Sequence, residues 1–377
     1  MKKISEIIIN PQNGPKYPVI VGKNIIQDSI TSWIIDTKSV ERTFVVICDS
    51  LIENLYGKEV KSFLKKVVKG KVFLFSFEGG EKNKTRETKK TLEDLMLSSG
   101  CGRDTVVLGL GGGISTDLAG FLAATYMRGV DYLSLPTSLL AMVDATVGGK
   151  TGVNTRHGKN LIGCFYQPQE VIVDISFLNT LSLREKKNGF AEMVKHGIIA
   201  DIEYFSFLRE HTEDLFRGKE ETLFHAVDRS IRIKGAIVEE DTLERGKRKV
   251  LNFGHTIGHA LEKAGLWKID HGRAVAYGMV VESWIAEEYG FVDEAFTLEV
   301  EQILSSLGLL EKIDRLDHHE LFSSLKMDKK NSNGELIMAL PKDFGEMYFG
   351  EGAYGKRVKR ELVYTSLEKL WKHCLYW

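Results

Sequence analysis

The run Asn252-Phe253-Gly254-His255-Thr256-Ile257-Gly258-His259-Ala260-Leu261-Glu262 carries two imidazoles four residues apart, which a helix brings to one face. His271, followed by Gly272, comes twelve residues after His259. Upstream, Glu192 and Lys195 lie three apart on a helix predicted over Gly189–Ile199, and so on one side of it. One carboxylate and two imidazoles with open coordination positions suit Zn²⁺ or a related ion acting as a Lewis acid. The bland reading of Glu192 and Lys195 is a solvated ion pair, and by spacing alone it is the commoner one. There is no His-Glu-x-x-His, so no zinc-protease assignment follows. Gly254 and Gly258 among the histidines weaken a helix and mark close approach of another group.

A second feature is Gly109-Leu110-Gly111-Gly112-Gly113, between a strand-like run and a helical one. Glycines there let backbone amides approach a pyrophosphate, whose charge a helix N-terminus favours. Ile114 stands where the usual dinucleotide motif has its last glycine, and a tight β-α turn without a ligand fits equally. Asp117 falls in the first helical turn, where a negative charge is favourable in any case. Gly149-Lys150-Thr151 resembles the end of a P-loop, but Asp144 occupies the position that needs glycine. A Gly-flanked Lys150, with Lys159-Asn160 shortly after, suits phosphate capture or an ordinary surface loop.

The composition limits the classes open to the chain. Its 377 residues suggest two domains. With 51 basic and 52 acidic residues the net charge is −1, which argues for neither a nucleic-acid nor a membrane partner. Affinity for an anionic substrate must then come from local clusters such as Arg232, Lys234, Arg245, Lys247, Arg248, Lys249 and Lys329-Lys330. Most of these read as solvated, while Lys234 and Arg248 border apolar stripes and are expected to point inward. The four cysteines show no Cys-x-x-Cys pair, which fits a reducing cytosol and argues against a disulfide scaffold or a thiolate zinc site. The start turns polar too soon for a signal peptide, and no apolar run approaches a membrane span.

The elements that must position these residues alternate in the first half. Pro18–Val21, Thr43–Cys48, Lys71–Phe77, Thr105–Leu110, Tyr132–Pro136 and Val171–Ile175 read as strands, with a helix over Thr85–Ser99 and another after Gly113. Such alternation implies a parallel sheet with crossover helices. Beyond about residue 176, helical periods dominate, over 184–200, 202–216, 219–239, 247–264, 272–289, 293–307 and 318–326. A hairpin-like piece, Glu335–Leu340, interrupts them, and 360–377 has an amphipathic helical pattern. The expected organisation is an α/β domain over 1–176 and a mainly helical domain over 177–377.

Taken in order, these segments resemble the 3-dehydroquinate synthase family of sugar-phosphate cyclases. The similarity runs from about Val45 to Leu340. It rests on Gly80-Glu81-Lys82-Asn83-Lys84, Gly111-Gly112-Gly113 with Asp117, Thr125-Tyr126-Met127-Arg128-Gly129, Pro136-Thr137-Ser138-Leu139-Leu140 and Val143-Asp144 through Asn154. It continues through Gly158-Lys159-Asn160, Ala191-Glu192 with Lys195, Lys234, Arg248, Leu251–Glu262, His271-Gly272 and Asp328-Lys329-Lys330. The resemblance implies a Rossmann-like N-terminal domain with a parallel sheet, an all-helical C-terminal domain and a cytoplasmic homodimer.

Carried over by position, the metal ligands would be Glu192, His255 and His271, holding Zn²⁺ or Co²⁺. NAD would meet Asp49, Glu81, Lys82, Gly112, Gly113, Asp117, Thr137, Ser138, Lys150, Lys159 and Thr180. The substrate, a sugar acid phosphate, would meet Asp144, Lys150, Asn160, Lys195, Lys234, Arg248, Asn252, His259 and Lys329. Arg128 would reach the phosphate of the substrate bound to the other subunit. The implied reaction turns 3-deoxy-D-arabino-heptulosonate 7-phosphate into 3-dehydroquinate and phosphate, with NAD regenerated, as a step toward aromatic amino acids. Three positions depart from the family pattern: Leu51, Gly79 and Arg273, the last where glutamate is usual.

Overall fold

A computed structural model describes residues 3–265, 268–313, 316, 321, 325, 335–350 and 352–373. The chain forms two compact units, Met1–Leu181 and Ser182–Trp377.

The first unit is built on strands β1 (Ser5–Ile9), β2 (Tyr17–Gly22), β3 (Phe44–Asp49), β4 (Val72–Phe77), β5 (Val106–Gly111), β6 (Asp131–Pro136), β7 (Lys150–Thr155), β8 (Gly158–Phe165) and β9 (Glu170–Asp174). Seven of them form one sheet in the order β1-β2-β9-β6-β5-β3-β4. Every pairing is parallel except β1 with β2. The helices are α1 (Ile26–Asp36), the single turn α2 (Ser50–Ile52), α3 (Lys58–Val67), α4 (Arg86–Ser98) and α5 (Gly113–Thr125). The central strands read as unbroken apolar runs because helices cover both faces of such a sheet. Val45, Ile47 and Val107 accordingly pack with Leu118 and Leu122 of α5 and with Leu92 and Met96 of α4.

One pair lies outside that sheet. β7 and β8 form an antiparallel hairpin across the segment read from sequence as a phosphate-capturing or surface loop. No apolar alternation announces it, because most of β8 is solvent-facing. Its strands approach so closely that a Cβ on Gly163 would lie 1.9 Å from the Thr151 carbonyl oxygen.

The second unit contains α6 (Leu183–Ala200), α7 (Ile202–Glu210), α8 (Thr212–Arg217), α9 (Glu220–Glu240), α10 (His255–Ala264), α11 (His271–Glu288), α12 (Glu294–Ser306) and α13 (Arg360–His373). Two differences from the expected periods have local causes. The stretch 202–216 breaks at His211, whose φ/ψ of −112/20 leaves the helical region. The stretch 247–264 divides into a 3₁₀ turn, Lys247–Asn252, and α10, because Gly254 takes a left-handed φ of 77° between them.

The helices are joined by short strands near the C-terminal end: β10 (Glu335–Met338), β11 (Pro341–Asp343), β12 (Glu346–Met347), β13 (Phe349–Gly350), β14 (Ala353–Tyr354) and β15 (Lys356–Lys359). The expected local hairpin at Glu335–Leu340 is instead one strand of a pair with β15. The helix expected over 318–326 lies outside the described residues save Leu321 and Leu325. α13 buries Leu367, Leu370 and Trp371 of the expected stripe, with Val363 buried in place of half-buried Leu362.

Candidate active site

In the second unit three helices bring one carboxylate and two imidazoles together. Glu192, in the middle of α6, is fully buried. Its Oε1 lies 3.3 Å from His255 Nε2 and 3.2 Å from His271 Nε2. One potential ligand atom from each of the three side chains lies within 4.8 Å of the others. His255 is the first residue of α10 and His271 the first residue of α11. Both rings have their second nitrogen engaged: His255 Nδ1 lies 3.1 Å from the Phe253 carbonyl and His271 Nδ1 lies 3.5 Å from Glu262 Oε1. Two Nε2 atoms and a carboxylate oxygen therefore face one point, a mixed N/O set that fits a zinc-like or cobalt-like divalent ion.

The backbone explains how the helices come so close. On α6, Arg184, Asn188 and Glu192 recur every four residues and form one stripe. Arg184 donates to Asp270 through Nε at 2.7 Å and Nη2 at 2.5 Å. Asn188 Oδ1 accepts the Gly272 N–H at 2.8 Å. A Cβ on Gly272 would stand 2.6 Å from the Asn188 Cα, so only glycine fits after His271. Glu282 of α11, also fully buried, accepts the Gly254 N–H at 2.7 Å and the Ile257 N–H at 3.3 Å. It thereby supplies to the start of α10 the cap that Gly254 lacks.

Electrostatics follow from this enclosure. Burial alone would raise the Glu192 carboxyl, but Lys195 and His255, with hydrogen bonds from both histidines, hold it well below the usual carboxylate range. Lys195 pairs directly with Glu192, and both side chains are almost fully inaccessible, unlike the solvated pair their spacing suggested. Burial works against the His271 imidazolium, yet Glu192 and Glu262 outweigh it and push the ring up to about 9.

The expected anion-binding side chains of this unit lie on α9, on the 3₁₀ turn and on α10. Lys234 and Arg248 are buried, as their apolar flanks indicated. Arg248 donates through Nη1 to the Thr242 carbonyl at 2.5 Å, and its backbone N–H reaches Asp241 at 3.0 Å. Asn252 donates to Glu244 Oε1 at 2.7 Å, and Glu244 itself holds a left-handed φ of 59°. His259 is exposed, its ring centre 5.2 Å from that of His255. Lys329 lies outside the described residues.

The first unit gathers the other group. Asp49, Gly111–Gly113 and Thr137-Ser138 sit at or just beyond the C-terminal ends of three neighbouring parallel strands, where ligands of such sheets bind. Asp49 Oδ1 caps α2 through the Leu51 and Ile52 N–H groups at 3.0 and 3.1 Å, and its Oδ2 accepts from Ser115 at 3.2 Å. Cβ atoms on Gly112 and Gly113 would lie 3.4 Å from Ser138 Oγ and 3.3 Å from Ala145 Cβ. The turn is therefore a backbone surface at the start of α5, beside Asp144 on the π-helical turn Ala141–Ala145.

A second knot joins Glu81, Asp117 and Asn160 through Lys84 and Asn154. Lys84 Nζ donates to Asp117 Oδ2 at 2.5 Å and to Asn160 Oδ1 at 2.6 Å. Asn154 donates to Glu81 Oε1 at 2.8 Å and accepts the Asn160 N–H at 3.0 Å. The remaining candidates lie on several elements. Lys82 is exposed and paired with Glu78, Lys150 opens β7, Lys159 lies on β8, Arg128 is exposed at a φ of 70°, and Thr180 touches Tyr56.

Three residues that carry the geometry were given no role from sequence. Glu262 follows His255 and His259 at the next helical return, so the signal was present. Lys84 ends the Gly80–Lys84 motif with no signal of its own, and Glu282 resembles any mid-helix acid. Arg273, the departure beside His271, turns away to Tyr277 Oη at 2.8 Å, so it does not displace Glu262 from the ring.

Comparison with known proteins agrees over most of the chain. The N-terminal model of 3-dehydroquinate synthase matches residues 74–188 and its C-terminal model matches 189–331. A 3-dehydroquinate synthase of Caldanaerobacter subterraneus subsp. tengcongensis is 40% identical over 81% of this chain and 86% of its own. One of Thermoanaerobacter sp. strain X514 is 41% identical over 81% and 86%. Among solved structures, 2-deoxy-scyllo-inosose synthase complexed with carbaglucose-6-phosphate, NAD⁺ and Co²⁺ superposes with a TM-score of 0.88 at 26% identity, covering 97% of this chain and 100% of that one. The 2-epi-5-epi-valiolone synthase of Streptomyces hygroscopicus subsp. jinggangensis 5008, with NAD⁺ and Zn²⁺ bound, gives 0.84 at 26% identity, covering 97% and 99%. With consecutive models spanning 74–331 and relatives of this identity over four-fifths of its length, the chain belongs to the 3-dehydroquinate synthase family.

Proposed function

We propose that this enzyme converts 3-deoxy-D-arabino-heptulosonate 7-phosphate to 3-dehydroquinate and phosphate, in the route to aromatic amino acids. The observation that carries the reading is the meeting of Glu192 Oε1 with the Nε2 atoms of His255 and His271, beside buried Lys195. Residues 1–176 would carry NAD, and 177–377 the metal and much of the substrate. Bound NAD supplies reversible hydride acceptance, and a divalent ion supplies Lewis acidity at adjacent substrate hydroxyls.

The roles of the side chains follow from charge and burial. Glu192, His255 and His271 hold the ion. Lys195 offsets the Glu192 carboxylate and offers a donor beside the reacting carbons. Buried Lys234 and Arg248 suit the substrate carboxylate, since a desolvated cation binds an anion more strongly than a solvated one. Asn252 orients the same end, and Asp144 accepts from substrate hydroxyls. Lys150, Asn160, His259 and Lys329 take the phosphate. The Gly112-Gly113 amides at the start of α5 would hold the pyrophosphate of NAD. Asp49, Glu81, Lys82, Asp117, Thr137, Ser138, Lys150, Lys159 and Thr180 complete its surroundings. Several chemical steps on one held intermediate gain chiefly from fixed orientation.

The reading includes a cytoplasmic homodimer in which Arg128 serves the partner's substrate. Free Cys48, Cys101 and Cys164 support a reducing compartment. Among the described residues no helix is long and apolar enough to cross a membrane. A second reading, a cyclase acting on a sugar phosphate without a carboxylate, has the fold likeness at 26% identity in its favour. Buried Arg248 and Lys234, and 40% identity to 3-dehydroquinate synthases, favour the first.

The test is direct. The enzyme is incubated with catalytic NAD⁺, Co²⁺ and the heptulosonate phosphate while phosphate and NADH absorbance are followed. Stoichiometric phosphate with no net NADH is expected; accumulating NADH, or no phosphate, rejects the assignment. His271→Ala should lose bound metal and turnover together.

A further inference from the structure

Glu262 has no part in the reading above, yet it is 3% exposed and lies on the same face of α10 as His255 and His259. Its Oε1 is 3.5 Å from His271 Nδ1, on the side of the ring away from Glu192. A histidine ring can turn about its Cβ–Cγ bond, and either nitrogen can bind an ion. Something must decide which nitrogen faces Glu192. For His255 it is the Phe253 carbonyl at 3.1 Å, fixed by the backbone at the start of the same helix. His271 stands at the start of α11, and the acceptor at its Nδ1 comes from the last turn of α10.

From this we infer that Glu262 is a positioning residue: its carboxylate accepts the Nδ1–H of His271, selects the tautomer with a bare Nε2, and aims that atom at the ion. Removal of such partners commonly lowers metal affinity about ten- to a hundredfold. The anionic partner also makes Nε2 a stronger donor, so Glu262 acts on the ion although it is not a ligand. Arg273, which replaces the glutamate usual beside His271, is engaged with Tyr277 and the Glu311 carbonyl, and the carboxylate on the Nδ1 side of the ring is Glu262. The inference rests on the metal reading, and the experiment separates the two.

The full chain is freed of metal and titrated with Co²⁺, following the visible cobalt absorption, for the wild type, Glu262→Ala, Glu262→Gln and His271→Ala. In parallel, the metal-free proteins are examined for the downfield Nδ1 proton of His271, identified by its absence in His271→Ala. Thermal melts establish that each variant is folded. Glu262→Ala should weaken Co²⁺ about ten- to a hundredfold, change the cobalt spectrum and lose the Nδ1 signal. Glu262→Gln, which keeps an acceptor oxygen without the charge, should restore the signal and recover part of the affinity. Glu262→Ala with wild-type affinity, spectrum and Nδ1 signal, while His271→Ala is impaired, overturns the role of Glu262 and leaves the metal centre standing. Wild-type protein that takes up no Co²⁺ overturns the metal centre itself.

Discussion

The α-carbon of Gly278 faces the carbonyl of Gly254 so closely that an added Cβ would lie 1.9 Å from its oxygen. Since both atoms belong to backbones, no rotamer change can relieve the clash. Gly278→Ala must therefore drive α11 from α10, and with it His271 from His255. A loss of about 3 kcal/mol in urea unfolding is expected, with weaker Co²⁺ binding in whatever fraction stays folded. Unchanged stability would mean that the two helices are not held at backbone contact.

In the proposed ligand role of His271, proton and metal compete for its ring. In the metal-free chain burial opposes its charge, but Glu192 and Glu262 push the ring up to about 9. Below that value binding must displace a proton, so Co²⁺ affinity should climb about tenfold per pH unit toward pH 9 and then flatten. The stability of the metal-free chain should run the other way. The protonated ring stabilises the fold in full below its ordinary 6.5, and this contribution is lost as pH rises through about 9. Calorimetric titration in buffers of different ionisation enthalpy would count the released proton.

Glu282 offers a second pH test. Burial raises its carboxyl to about 8, against the opposing N–H groups of Gly254, Ile257 and Thr256. The folded chain thus retains a proton that the unfolded chain gives up near 4.5, and stability should decline between those values as pH rises. Glu282→Gln keeps an acceptor and cannot ionise. Its stability should lack this part of the decline, keeping only that from His271 above pH 6.5, and above pH 8 it should exceed the wild type in urea unfolding.

In the first unit, Lys84→Met would leave Asp117 without its buried cation and Asn160 without its donor. Breaking a buried pair from one side costs about 3 kcal/mol or more. Asp117→Asn in the same chain should restore part of that loss, because the uncompensated carboxylate is then gone. Equal losses in the single and double variants would show that the pair does not stabilise the fold.

How much of this could be read beforehand varied with the range of the interaction. The parallel strands were legible because full burial writes itself as continuous apolar runs such as Val45–Ile47 and Val106–Leu108. The His255/His259 face was legible because helical spacing is local. The break at Gly254 was not, since the groups that leave no room for a side chain there, Val275 and Met279, come from another helix. The β7–β8 hairpin escaped because a solvated strand has no apolar alternation. Glu282 has no signature at all: its importance lies in the backbone amides of residues 28 and 25 positions earlier.

The stripe of Arg184, Asn188 and Glu192 has one more consequence. Its three members engage Asp270, Gly272 and His271, so sliding α11 along α6 would break every contact at once rather than in succession. The imidazole on α11 is thus indexed to α6 like a key to its wards, and the placement of His271 against Glu192 cannot loosen by degrees: it is inherited whole or forfeited whole.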